Sequence, residues 1–123
     1  MPQRSRPLHQ IINTTDRSTV CGLCELADTF VSRLLGLLGR RALDPSAGML
    51  IAPSSGIHTF GMRFPIDVVS LDHNLEVISL HPALGSWRVA GLSRKTRSIL
   101  ELPAGQISQS RIAVGDRLLL CLQ

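Results

Sequence analysis

The stretch GMLIAPSSGIHTFGMRFPIDVVSLDHNLEVISLHP, residues 48–82, decides the fold class of this 123-residue chain. Gly48 to Ala52 is a short apolar run of the length expected of a buried strand. Pro53 to Gly56 is a loop, and Ile57 to Met62 is a further short segment. Pro65 to Leu71 and Leu75 to Leu80 flank Asp72-His73-Asn74, which predicts a hairpin with Asn74 available for a positive-φ position. With His73-Asn74 as a two-residue loop, Val69 faces Ile78, Leu71 faces Glu76, Asp67 faces Leu80 and Ile66 faces His81. One face then carries Val69, Leu71, Ile78 and Leu80, with Asp67 at the end farthest from the turn.

A carboxylate on such a face has to be paired, hydrogen-bonded or protonated, because an unpaired buried charge is very costly. Two roles fit Asp67. It accepts backbone N–H groups or an arginine and fixes the start of its strand, or it acts as a general base or anchor at the mouth of a pocket. The placement depends on the turn, since a three-residue loop would flip the register and return Asp67 to solvent. His81 falls on the opposite face. His58 is the better partner, because a turn at Arg63-Phe64-Pro65 would fold it back towards Asp67, although a lone histidine beside aromatics is more often structural. His73 at a loop tip and His9 near the start are expected bystanders.

Outward from this stretch the pattern stays mostly β. Ser18 to Ala27 reads as a strand with a possible bulge at Gly22. Asp28 or Thr29 caps a helix whose Phe30, Leu34, Leu37 and Leu38 form one buried stripe, predicting a helix from Asp28 to about Arg40. His81 to Arg97, rich in Pro, Gly, Ser and Arg, reads as a long surface loop. Ser98 to Leu102 is a strand ended by Pro103-Ala104-Gly105, Val114-Gly115-Asp116 is a turn, and Arg117 to Leu122 is a last strand. Residues 1–16 read as a loosely ordered arm and residues 17–123 as one domain. The expectation is a mainly β domain, barrel-like or a sandwich, with one amphipathic α-helix near the N-terminus.

Composition sets outer bounds. The 44% hydrophobic content suits an ordinary packed, water-soluble protein, and no apolar run approaches a membrane span. No secretory signal is apparent, so a cytoplasmic location is expected. Three cysteines fit reduced thiols better than a disulfide framework. The net charge of +4 invites a nucleic-acid reading, but the arginines are scattered and the four aromatic residues form no stacking platform, so nucleic-acid binding is not expected.

Cys21-Gly22-Leu23-Cys24 looks like a redox or zinc motif. On an extended strand, however, residues i and i+3 point to opposite faces, so the reading here is plain thiols, with Cys121 in the core and no metal or cofactor. The Gly-x-Ser-x-Gly elbow, the His-Glu-x-x-His helix and phosphate-binding glycine patterns are absent, which lowers the case for an enzyme.

Five segments in order resemble the DUF192 (UPF0127) family of small prokaryotic proteins of unknown function. They are Arg33 to Arg40, Gly48-Met49-Leu50-Ile51, Met62 followed by Pro65-Ile66-Asp67, Ile99 to Gly105, and Ile112 to Asp116. Gly61 stands where the family often has an aromatic, and Met62 to Pro65 is shorter than the usual run. The resemblance implies a mainly β, barrel-like fold with one helix and no established activity; many relatives look exported.

The leading functional expectation is a non-enzymatic module that binds a small molecule or a protein near His58, Met62, Arg63 and Asp67. The alternative is a hydrolase-like enzyme in which Asp67 orients or deprotonates His58. A third reading is anion or nucleic-acid binding by Arg88, Arg94, Lys95 and Arg97.

Overall fold

In a computed structural model of the chain, the structure describes residues 8–27, 47–54, 56–58, 64–85, 89–90 and 93–122. Nine strands and one short helix fall within them: β1 (Leu8–Asn13), β2 (Thr19–Ala27), β3 (Ala47–Ile51), β4 (Ile57–His58), β5 (Ile66–Leu71), β6 (Val77–Leu84), β7 (Val89–Ala90), β8 (Ser98–Pro103), α1 (Gln106–Ser110) and β9 (Leu118–Leu122). Seven strands form one sheet in the order β6-β5-β8-β3-β2-β1-β9, and β4 pairs with β7 in a separate two-stranded ribbon. Within the large sheet every neighbour is antiparallel except β2 and β3.

The sheet curls until its two edges meet at one end. Glu76 bridges Arg117. The Leu118 N–H donates to the Leu75 carbonyl, Val77 to Asp116 and Gly115 to Val77. Sheet twist brings the edges round, and these bonds satisfy edge groups that would otherwise stand open. At the same end the Asp116 carboxylate gathers the Asn13 side-chain amide at 2.8 Å, the Thr15 hydroxyl at 3.0 Å and the Ala113 N–H at 2.9 Å. One side chain thereby ties the β1–β2 turn to the turn before β9.

Both faces of the central strands are covered. All six residues of β5 and the first five of β8 are buried. Alternate residues feed two clusters. The inner one holds Val69, Leu71, Leu100 and Leu102 with Ile11, Cys21, Cys24 and Ile107, and the other holds Met49, Ile51, Phe64, Ile66, Val68 and Ile99.

Several expectations are corrected. The sheet starts before residue 17: Leu8–Asn13 is a strand between β2 and β9. Its inward positions include His9 and Asn13 beside Ile11, so no apolar alternation marks it. An N-terminal helix is not borne out. Asp28–Arg40 lies outside the described residues, and the helix found among them, α1, is C-terminal. Its five residues are too short to show a periodic stripe. The expected loop at residues 81–97 contains the end of β6 and all of β7.

The hairpin has a three-residue loop. Asp72 N–H donates to the Glu76 carbonyl, Leu75 N–H to the Asp72 carbonyl, and the left-handed residue is Leu75 at φ 60°, not Asn74. Asp72 Oδ1 accepts the Asn74 and Glu76 N–H groups, which sets that turn. Val69 therefore faces Leu80 and Leu71 faces Val77, with Ile78 bulged out between them. The bulge absorbs the register change within β6, so β5 keeps its orientation and Asp67 stays fully buried.

Three carboxylates at this end of the barrel titrate below the ordinary aspartate value of 3.8. Asp16 is held down first by the Ser18 hydroxyl, and Asp72 by the Glu76 N–H. For Asp116 desolvation is the largest single influence and pushes upward, but the Ala113, Asn13 and Thr15 donors together outweigh it. Depressed folded values mean that the stability they add is present above pH 3.8 and is lost as pH falls through the folded pKa. Asp116→Ala, which strands the buried Asn13 amide, is expected to cost about 1–3 kcal/mol in urea unfolding at neutral pH. The gap from wild type should close below about pH 4; a gap unchanged into acid would contradict this account.

Candidate functional site

Asp67 is the expected site residue that the structure describes in full. It sits in β5 opposite Leu102 of β8, with none of its surface exposed. Oδ1 accepts the Ala83 N–H at 2.7 Å; Oδ2 accepts the Gly105 N–H at 3.1 Å and the Ile107 N–H at 2.7 Å. Gly105 is the N-cap of α1, at φ 96°, a conformation glycine adopts without a Cβ clash, and it has no side chain to cap the helix. Asp67 reaches across from the sheet to supply that cap. Its other oxygen holds Ala83, which a bulge at Pro82–Ala83 places at φ 48°. Of the two roles open to this residue, the geometry carries the acceptance of backbone N–H groups.

The remaining expected residues spread out. His58 lies in β4, its backbone paired with Val89 of the ribbon and outside the sheet that carries Asp67. Met62, Arg63 and Arg88 lie outside the described residues. His81 pairs with Val68 and so faces away from Asp67, as expected, although its partner differs from the expected Ile66. Cys121 is half-buried and lies outside both core clusters.

One acidic residue escaped notice. Glu101 of β8 is fully buried on the face opposite Asp67, between its strand neighbours Met49 and Val68. The signal available was a glutamate inside the apolar run Ile99 to Leu102.

The two thiols of the Cys21-x-x-Cys24 motif were expected on opposite faces, and the structure corrects this. Cys24 pairs with His9 and Cys21 with Ile11, so β2 spends three residues where β1 spends two. That bulge, next to Gly22, turns both thiols into the inner cluster, where they hydrogen-bond to each other. The bond from Cys24 lowers the pKa of Cys21, while the same bond and burial raise that of Cys24.

A concave site lies where β3 leaves the sheet and β8 begins. A cleft of about 480 Å³ is lined there, among the described residues, by Pro53, Ser54, Gly56, Thr96 and Arg97. Its walls are tied together, with Ser54 N–H donating to the Arg97 carbonyl and Arg97 N–H to the Leu71 carbonyl. The Ser54 hydroxyl bonds the Gly56 carbonyl at 2.7 Å. Arg97 Nη1 donates to the carbonyls of Arg94 at 2.7 Å and Thr96 at 3.3 Å, which fixes the guanidinium. With Arg94 and Lys95 adjacent and no acidic residue among the described lining, the cleft is positive.

Among the described residues no helix is long and apolar enough to cross a membrane. The family model DUF192, described as an uncharacterized ACR, matches residues 11–120. A UPF0127 protein of Pyrococcus furiosus is 32% identical over 111 residues, covering 88% of this chain and 95% of the relative. One from Pyrococcus horikoshii is 30% identical over 113 residues, covering 88% and 96%. A solved structure from Sinorhizobium meliloti, described as a candidate transcription regulator, aligns with a TM-score of 0.78 at 23% identity, covering 97% of this chain and 98% of that one. A protein of unknown function from Novosphingobium aromaticivorans gives 0.75 at 19% identity, covering 91% and 83%. These two likenesses establish the mainly β fold.

Asp67→Ala would leave three N–H groups without their acceptor, that of Ile107 buried and those of Ala83 and Gly105 part-buried. It is expected to destabilise the domain by on the order of 3 kcal/mol or more in chemical unfolding. Hydrogen exchange at Ala83, Gly105 and Ile107 should accelerate together; protection retained at all three would refute the capping role.

Proposed function

The chain belongs to the DUF192 (UPF0127) family, for which no activity is established, and from that premise we propose that it is a non-catalytic binding module for a small anion. The ligand class is a carboxylate- or phosphate-bearing small molecule, held in the cleft between Pro53–Gly56 and Thr96–Arg97.

The observation that carries this reading is the posture of Arg97. A guanidinium offers five N–H donors in a planar fork that matches carboxylate and phosphate oxygens. Here Nη1 is spent on two backbone carbonyls, which orients the plane and lowers the entropy lost on binding. No described residue uses the remaining donors, and the group lines a concave surface. The basic run Arg94 to Arg97, read from sequence as a third possibility, thus comes to the front in small-anion form.

The earlier site around His58, Met62, Arg63 and Asp67 is recast accordingly. Ile57 and His58 follow directly on the cleft residue Gly56, so His58 remains a candidate ligand contact beside it. Asp67 acts at a distance as a support. Its two oxygens already accept three N–H groups, which speaks against a general-base role in a His58/Asp67 hydrolase.

The test is titration of the full chain with inorganic phosphate, citrate and a neutral polyol, followed by calorimetry or backbone amide shifts. Phosphate or citrate should shift the Ser54, Gly56 and Arg97 amides while the polyol does not. Arg97→Ala should keep the fold and weaken the anion at least tenfold, with Arg97→Lys intermediate. Equal binding by Arg97→Ala would sink the proposal.

A further inference from the structure

Cys21 and Cys24 lie far from the cleft residues in sequence and face into the barrel. We propose that this pair is a two-thiolate site for a soft monovalent metal ion of the Cu(I) type.

The geometry comes from the β2 bulge. Without it, the sulfurs would stand on opposite sides of the sheet. With it, both enter the inner cluster within hydrogen-bond reach, at 2% and 0% exposure. Neighbouring residues leave room for them. Gly48 of β3 is the partner of Cys24, and a Cβ there would lie 2.7 Å from Cys21 Sγ. Any other residue at position 48 would fill the space beside that sulfur.

His9 adds a second feature. It pairs with Cys24 on β1 and lies two residues from the inward-facing Ile11, so it shares the thiols' face. It is half-buried, and its Nδ1 is buried with no hydrogen-bond partner among the described residues. A partly exposed imidazole with an unused nitrogen, across the strand from Cys24, gives the pair a route to solvent.

Competing chemistries fit less well. A disulfide needs Cα atoms within roughly 4.4–6.8 Å; with three residues of β2 set against two of β1, Cys21 and Cys24 stand about 7 Å apart, at the upper limit of that range, and both are free thiols. A tetrahedral Zn²⁺ site needs three or four convergent ligands. Among the described residues no three His, Cys, Asp or Glu side chains are placed to hold a metal ion. A soft d¹⁰ monovalent ion favours thiolates and accepts two of them in a near-linear arrangement. On binding, two S–H bonds break, two sulfur–metal bonds form, and two protons leave to solvent with no electron transferred.

The experiment is anaerobic titration of the full chain with Cu(I) in the presence of a bathocuproine-type chelator. Thiolate-to-copper charge-transfer absorption should saturate at one ion per chain. Cys21→Ser and Cys24→Ser should each lose retention against the chelator by at least a hundredfold. Cys121→Ser should retain it, and His9→Gln should slow loading with the final stoichiometry unchanged. Because a core serine can unfold the domain, X-ray absorption of the loaded wild type provides an independent check: two sulfur scatterers at copper are expected. Oxygen and nitrogen scatterers alone, Cys121 dependence, or Zn²⁺ held as tightly as Cu(I) would each overturn the assignment.

Discussion

The structure depends on a single carboxylate that collects backbone. Asp67 joins three pieces of chain distant in sequence: its own strand, the bulged end of β6 at Ala83, and the first turn of α1 through Gly105 and Ile107. The Ile107 donor is buried, where an unmade hydrogen bond costs more than a made one returns. With these bonds in place the short helix has a cap, Ile107 enters the inner cluster, and Gln106 reaches back to the Val20 carbonyl of β2. Helix α1 is too short to stand alone, so its place is set by the sheet.

Much of this was legible in residues 48–82 and 98–122. A carboxylate set in an apolar run demanded an explanation, and the strands around it were marked by β-branched residues between turn signals. Register was harder. Pairing is settled by bulges at Ile78 and at Pro82–Ala83, and a bulge leaves little trace in composition. The same cause hid the meeting of Cys21 and Cys24, although Gly22 had flagged the place. β1 was missed because its inward positions His9 and Asn13 are polar; Asn13 is excused from the apolar rule by Asp116, a partner 103 residues away. Such partners cannot be read locally. The partners of Asp67 were hidden too, because they are main-chain groups carrying no side-chain signature.

The cleft and the dithiol draw on different faces of the sheet economy. The cleft arises where strands end and loops must satisfy their own backbone, which orders Arg97 without burying it. The thiols arise where a strand in the sheet interior is locally overfull and spends an extra residue inward. Both are products of irregularity in an otherwise regular sheet.

Closure of the sheet sets an order on folding. β1 lies between β2 and β9, so the strand formed earliest in the described chain has one flank covered only by the last. The β2, β3 and β8 pairings can form before residues 118–122 exist as chain, but β1 must then present an open edge, and the Asn13–Asp116 tie must wait. Non-local closure of this kind is slow, since loop entropy is spent before the contacts repay it. During synthesis the nascent domain therefore carries an unsealed strand whose outer row of backbone groups is available to any passing β-edge, and the final strand acts as its seal.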